Sequence, residues 1–237
     1  MSFPLREYYA SYLKNIRNLS ASSVNHYLDA INWISRYLVE KGLLKASIYE
    51  ITSLSDLEQI KDVLLSDEAF IAMNKRGHQM YSAGLNNYIR FAEGDCFEKI
   101  GVDLRRLDIP MKLPHQSDGI VQKTWNRSEI IKCQSIRLAN YECEINRKHA
   151  TFISARNGMP YMEGHHTIPM RLQDSFDISL DVYANIVCVC PTCHRFLHFG
   201  RKEDKLIIAE KIYYNRADRL AHSGIVLGRK EFLDIVC

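Results

Sequence analysis

The strongest constraint on this chain lies between Tyr161 and His198, where metal-binding residue types crowd together. The segment opens on His165-His166, passes Asn185, and closes on Cys190-Pro191-Thr192-Cys193-His194 and His198. Five of the nine histidines fall between His149 and His198. Core packing does not call for such a density of imidazole and thiol, whereas two metal sites do. Cys190 and Cys193 have the C-x2-C spacing of a zinc knuckle. His194 and His198 are four apart, so on a helix they share one face and can reach a second ion.

A closed zinc site needs four ligands. The nearest candidates to complete it are Cys143 and His149, a C-x5-H half-site looser than C-x2-C, with Cys133 as a possible substitute. Cys188 stands two residues before Cys190 and reads as a core thiol, because unpaired cysteine packs as a small hydrophobe. The cysteine count of seven is odd and forms no regular framework, which argues against a disulfide scaffold and for reduced thiols in the cytoplasm. The first ten residues include Arg6 and Glu7 and have no apolar signal core. No apolar run approaches the ~20 residues needed to cross a bilayer, so no membrane partner is expected.

Charge is unevenly spread. Residues 1–110 carry 13 Lys and Arg against 14 Asp and Glu, and residues 111–237 carry 18 against 14. The positive excess therefore travels with the metal cluster and suits a polyanion.

The first hundred residues read as helical. From Ser20 to Gly42, Val24, Tyr27, Leu28, Ile31, Ile34, Tyr37 and Leu38 recur at three- and four-residue steps. Ser20 or Ser22 can cap this helix, and Gly42 can end it. Further helices are expected from Ser55 or Asp56 to Leu65 and from Gln79 to Ala92, with Asn74–His78 as a turn between them. Residues 108–125, with Pro110, Pro114, Ser117, Asp118 and Gly119, have a linker's composition. A helix capped by Asn126 or Ser128 follows and uses Ile130, Ile131, Ile136 and Leu138.

Beyond it the pattern changes. Thr151–Ser154 reads as a strand, Asn157-Gly158 as a two-residue hairpin turn, and Met159–Thr167 as the returning strand that delivers the paired histidines. Asn185–Val189 is a second strand, and Pro191 starts a helix. The end of the chain, from Leu206, is helical. The fold class is therefore α+β: a helical domain over 1–107, a linker over 108–125, and a metal-stabilised domain over 126–237.

Adjacent histidines at a strand end can divide two tasks, since successive side chains point to opposite faces: one holds a metal while the other faces a water. Hydrolysis of a phosphodiester needs both. Glu163 shares a face with His165 by alternation; it reads first as a solvated edge residue, with a supporting place beside the histidines as the other reading.

The run Tyr161-Met162-Glu163-Gly164-His165-His166-Thr167-Ile168-Pro169, then Asn185-Ile186-Val187, then Cys190-Pro191-Thr192-Cys193-His194 with His198, resembles the HNH endonuclease family. More narrowly it resembles the HNH domains of bacterial restriction enzymes, including McrA-type enzymes that cut modified DNA. The resemblance covers about residues 140–200 and fixes about eight positions in order. It implies a ββα-metal fold stabilised by zinc. His166 would be the general base, and Asn185 would hold the loop that orients it. His165 and His194 would bind the catalytic ion, and His198 would be a third ligand or a phosphate contact. Many members have Asp where His165 stands and Asn where His194 stands; the all-histidine form is more similar to colicin-type nucleases. The divalent ion is then Mg²⁺ or Mn²⁺, with Ni²⁺ also tolerated by imidazole.

The resemblance implies a restriction-type endonuclease acting on double-stranded DNA, leaving 5′-phosphate and 3′-hydroxyl ends. It is either sequence-specific or modification-dependent. Cutting both strands with one site per chain points to a homodimer. A nonspecific nuclease and a zinc-stabilised DNA-binding protein that no longer cuts are the alternatives. Arg195, Arg171 and Arg156 are the candidate phosphate contacts near the motif. Lys75 and Arg76 are candidates in the helical half, although that passage reads more readily as a helix packing its aromatic residues into a core.

Overall fold

The computed structural model describes residues 3–97, 104–113, 125 and 127–237. The expected linker and cap residues Pro114, Ser117, Asp118, Gly119 and Asn126 lie outside the described residues. The fold is mixed: mainly helical, with one small two-stranded sheet among the described residues. No helix among those residues is long and apolar enough to cross a membrane. The chain divides into two compact units, Met1–Cys96 with Ser128–Ile130, and Phe97–Arg127 with Ile131–Cys237.

The first unit is helical. It contains α1 (Pro4–Ser11), a π-helical turn over Tyr12–Ile16, α2 (Ala21–Glu40), α3 (Leu54–Ser66), α4 (Glu68–Arg76) and α5 (Met80–Glu93). The expected α2 is present. Ser20 is its cap, accepting from the Ser23 amide at 3.2 Å, and Leu28, Ile31, Ile34 and Leu38 line its buried face. Gly42, just past the helix, takes φ +70°, the left-handed conformation that only glycine adopts cheaply. α2 and α5 meet at small residues: a Cβ on Gly84 would come within 2.6 Å of the Ala30 Cβ. Around this crossing Tyr8, Tyr9, Tyr12, Tyr88 and Phe91 are buried, and the Tyr9 hydroxyl donates to Asn87 Oδ1 at 3.0 Å.

One element differs from expectation here. Asn74–Arg76 is the last turn of α4 rather than a turn between helices, and the bend falls at Gly77–Gln79, where His78 and Gln79 have φ of 51° and 65°. Asp67 creates α4 by accepting from the Ala69 and Phe70 amides. Asn74 then fixes the bend, donating to Gln79 Oε1 and accepting from the Ser82 amide.

The second unit holds most of α6 (Glu129–Leu138), then β1 (Glu163–His166), β2 (Ile186–Val189), α7 (Pro191–Phe199), α8 (Lys202–His222) and α9 (Arg229–Val236). β1 and β2 are antiparallel, with Glu163 opposite Val189 and His166 opposite Ile186. The expected hairpin is looser than a two-residue turn. Ser154 N–H donates to Met159 O and Gly158 N–H to Ser154 O, and Ile153 and Pro160 form only an isolated bridge. Tyr161 N–H still donates to Phe152 O on the far side of that bridge, and regular pairing starts only at Glu163, against β2.

α8 clamps the unit. Arg216 forks onto both Glu144 carboxylate oxygens and donates to Tyr183 O, while Glu144 Oε1 also accepts from the Cys188 amide. Arg219 makes a two-pronged pair with the buried carboxylate of Asp108. The described part of the stretch read as a linker is packed in this unit. Besides Asp108, Met111 O accepts from the Ser179 amide, and Lys112 bridges Ile178.

Candidate functional site

Four donor atoms converge where α7 begins. Cys190 caps α7 and Cys193 lies in its first turn, and Pro191 fixes the helical entry. Glu144, held by Arg216 and paired to Cys188, brings the Cys143–His149 loop alongside. The ligand atoms of Cys143, His149, Cys190 and Cys193 all lie within 4.8 Å of one another. His149 Nδ1 is 3.5 Å from Cys190 Sγ and 3.3 Å from Cys193 Sγ. Cys133 is exposed on α6 and outside this group, and Cys188 is a buried thiol on β2. Three thiols and an imidazole are a donor set that suits a tetrahedral structural zinc. Burial opposes ionisation of the Cys143 thiol, but the amides of Asn146, Cys190 and Ile145 together with His149 bring it down to about 7. Burial raises Cys193, and the neighbouring Cys190 and Cys143 sulfurs raise it further. Three thiolates cannot share this space without a cation.

A second group lies across the sheet face from β1 to α7. His165, the third residue of β1, meets His194 and His198, one turn apart on α7, with their donor nitrogens within 4.8 Å of one another. His194 Nε2 and His198 Nε2 are 3.1 Å apart. Burial brings the His165 pKa down to about 3, and the positive neighbours His194, His198, His166 and Arg127 add to it. Burial also lowers His198, followed by His194, Arg195 and Arg127. A neutral imidazole is the form that ligates metal.

Two carboxylates support these histidines. Glu163 Oε2 lies 2.5 Å from His194 Nδ1, and its other oxygen accepts from the Tyr161 hydroxyl at 3.1 Å. A carboxylate accepts only, so His194 presents Nε2 as its lone-pair nitrogen toward the group. His166 is not part of the triad. Its Nε2 is 2.8 Å from Asp181 Oδ1, with both side chains largely buried. Asn185 is buried where it was expected to matter for the loop. It accepts from the Ile168 amide at 2.8 Å and donates to Ile168 O and Leu180 O, and its own carbonyl accepts from Thr167. It therefore ties the chain leaving His166 to the chain entering Asp181.

Nothing in the sequence marks Asp181, and Glu163 reads there first as a solvated edge residue, whereas the structure pairs both with histidines. The signal available for Glu163 was its two-residue spacing from His165. Asp181 stands four residues before Asn185, a spacing that says nothing by itself. Of the cationic candidates, Arg195 is exposed on α7 beside His194, Arg171 is exposed in the 3-10 turn Met170–Ser175, and Arg156 is exposed at the hairpin tip. Lys75 and Arg76 are exposed in the last turn of α4 in the other unit, while Asn87 and Tyr88 of the same passage are buried in its core.

Over 95 residues the chain is 34% identical to the type IV methyl-directed restriction enzyme EcoKMcrA of Escherichia coli (strain K12), covering 40% of this chain. The matched stretch is 31% of that relative's length. No protein-family profile matches the chain, and no solved structure matches it.

Proposed function

We propose that this chain is a metal-dependent DNA endonuclease of restriction type that hydrolyses phosphodiester bonds with His166 as general base. The observation that carries the reading is the triad of His165, His194 and His198 next to a fourth histidine, His166, held by its own carboxylate. The partial identity to a methyl-directed restriction enzyme supports the choice of DNA as substrate and leads us to include dependence on modified bases in the proposal.

A divalent ion held by the triad would supply Lewis acidity to the phosphodiester oxygens, neutralising charge as the leaving 3′ oxygen departs. The remaining work falls to the chain. Asp181 accepts from Nε2–H of His166, which leaves Nδ1 as the basic nitrogen to take a proton from the attacking water. Asn185 fixes the two loops so that this pair keeps its geometry. Glu163 keeps His194 in the tautomer that presents Nε2. Arg195, Arg171 and Arg156 would meet neighbouring phosphates, and Lys75 and Arg76 would do so from the other unit. With three imidazole donors and no carboxylate among them, the site should favour Mn²⁺ or Ni²⁺ over Mg²⁺. Cys143, His149, Cys190 and Cys193 would hold a structural zinc.

Incubation with unmodified, methylated, hydroxymethylated and phosphorothioated plasmids, each with Mg²⁺, Mn²⁺ or Ni²⁺, tests the reading against a His166→Ala control. Discrete metal-dependent fragments bearing 5′-phosphates, lost in the control, are expected. A smear on every plasmid would indicate a nonspecific nuclease. Binding without cutting under any metal would overturn the enzymatic reading.

A further inference from the structure

The 151–161 hairpin exposes apolar side chains that nothing in its own unit requires to be outside. Phe152 is 65% exposed and Ile153 61%. Phe152 is stacked on Tyr161, with ring centroids 4.8 Å apart and planes 16° from parallel. This pair is tied to the triad: Tyr161 donates to Glu163, and Glu163 bonds His194. The backbone holds the pair in place, since Tyr161 N–H donates to Phe152 O at 2.9 Å. A second exposed aromatic, Phe199 at 77%, ends α7 and touches the His198 ring, with centroids 5.9 Å apart. The link from Phe152 reaches His194 at Nδ1, the nitrogen turned away from the donor group, so the Phe152–Tyr161 pair flanks the triad, while Phe199 adjoins the His198 ring itself.

The charge around them says what kind of partner the rings suit. Between Glu144 and Glu163 the chain has Arg147, Lys148 and Arg156 and no acidic residue; between Asp181 and Glu203 it has Arg195, Arg201 and Lys202 and none. Arg147 pairs with Glu142 and Arg201 with Asp204; Lys148, Arg156, Arg195 and Lys202 are the further cations of these segments, and apolar rings among them fit a polyanion that also carries flat apolar groups. A nucleic acid has both, whereas an anionic lipid surface has the charge without the flat rings. We propose that Phe152, backed by Tyr161, is a stacking platform for a base beside the phosphate held at the triad, with Ile153 lying against the adjoining sugar or base edge. This rests on the nuclease reading and adds to it a contact to the bases themselves. Stacking tolerates every base, so the platform positions the strand without choosing a sequence. The rings also favour bases that are unstacked or displaced from the duplex, because only those offer a free face.

The test uses the full chain in a His166→Ala background, so that binding is read without cutting. Affinity for labelled mixed-sequence duplexes, unmodified, methylated, hydroxymethylated and phosphorothioated, and for their separated strands, is measured by fluorescence anisotropy across a salt series. Phe152→Ala is expected to weaken binding about ten-fold, more for the single strand than for the duplex, with the slope of log affinity against log salt unchanged. Phe152→Trp should restore affinity. Arg156→Ala should instead lower the slope by about one, as loss of a phosphate contact does. Zinc content and thermal midpoint equal to the parent's would show that the exposed residue was replaced without disturbing the fold. A Phe152→Ala protein that binds both forms as tightly as its parent overturns the platform and leaves the nuclease reading intact. A parent that binds neither form overturns both.

Discussion

A carboxylate that touches only one nitrogen of a histidine decides what the other nitrogen can do. Glu163 does this to His194 of α7 and Asp181 to His166 of β1, while the neighbouring His165 and His166 are sorted into different surroundings. Strand alternation made that sorting visible in advance, because His165 and His166 must face opposite sides of the sheet. The donors Cys143, His149, Cys190 and Cys193 were visible too, since ligand type and spacing carry the information. Asp181 was not, because its pairing with His166 is made across fifteen residues by a loop whose path depends on Asn185. If His166 is the base, Asp181→Ala should lower the cleavage rate by about 10- to 100-fold, within the range that positioned proton transfer contributes. Substrate affinity and metal uptake should hardly move, because neither the triad nor the exposed arginines are touched. Single-turnover cleavage beside a binding titration separates the two, and equal rates for Asp181→Ala and the parent would remove Asp181 from the reaction.

At the level of elements, periodicity found the long pieces and missed what local capping and small residues create. α2 shows its apolar stripe plainly, but α4 is nine residues long and exists because Asp67 caps it immediately after α3. The hairpin was expected from Asn157-Gly158, and its pairing is only a single bridge, at Ile153 and Pro160. The α2–α5 crossing was not predictable from either helix alone. Gly84 looks like a weak point in a helical pattern, worth about 1 kcal/mol against alanine. Its actual role is to let α5 approach Ala30, where an added Cβ would sit 2.6 Å from another Cβ with no flexible side chain to yield. Gly84→Ala should therefore destabilise the protein by about 1–3 kcal/mol despite its better helix propensity, as overpacking does. Ala30→Gly in the same chain should recover part of that loss. Urea unfolding of the two variants decides the matter, and a Gly84→Ala protein more stable than the parent would show that the helices separate at no cost.

Taken whole, the chain spends its two halves differently. The first unit has an ample aromatic core, with Tyr8, Tyr9, Tyr12, Tyr88 and Phe91 buried among long helices. The second rests on a sheet of two four-residue strands, which is marginal without further support. Two sources of support are apparent: the carboxylate pairs of the largely buried Arg216 and Arg219 on α8, and the Cys/His group between the Cys143 loop and α7. Arginine pairs of this kind fix geometry more than they add stability, since desolvation consumes much of the attraction. Zinc is different, because its binding energy, about 10–16 kcal/mol in small domains, becomes folding energy. Thiol reactivity reads this directly. Cys133 is exposed and Cys96 and Cys237 are half-buried, whereas Cys143, Cys188, Cys190 and Cys193 are buried. In native protein a thiol reagent should modify Cys96, Cys133 and Cys237 and spare the rest. After removal of zinc by a strong chelator, Cys143, Cys190 and Cys193 should react as well, with loss of the ordered α7 and of metal uptake at the histidine triad that α7 carries. Purified protein should contain about one zinc per chain, the occupancy a closed four-ligand site maintains. Protein that carries no zinc yet shields the same four thiols would mean that packing alone holds this unit, and that the Cys/His group is a core cluster and not a metal site.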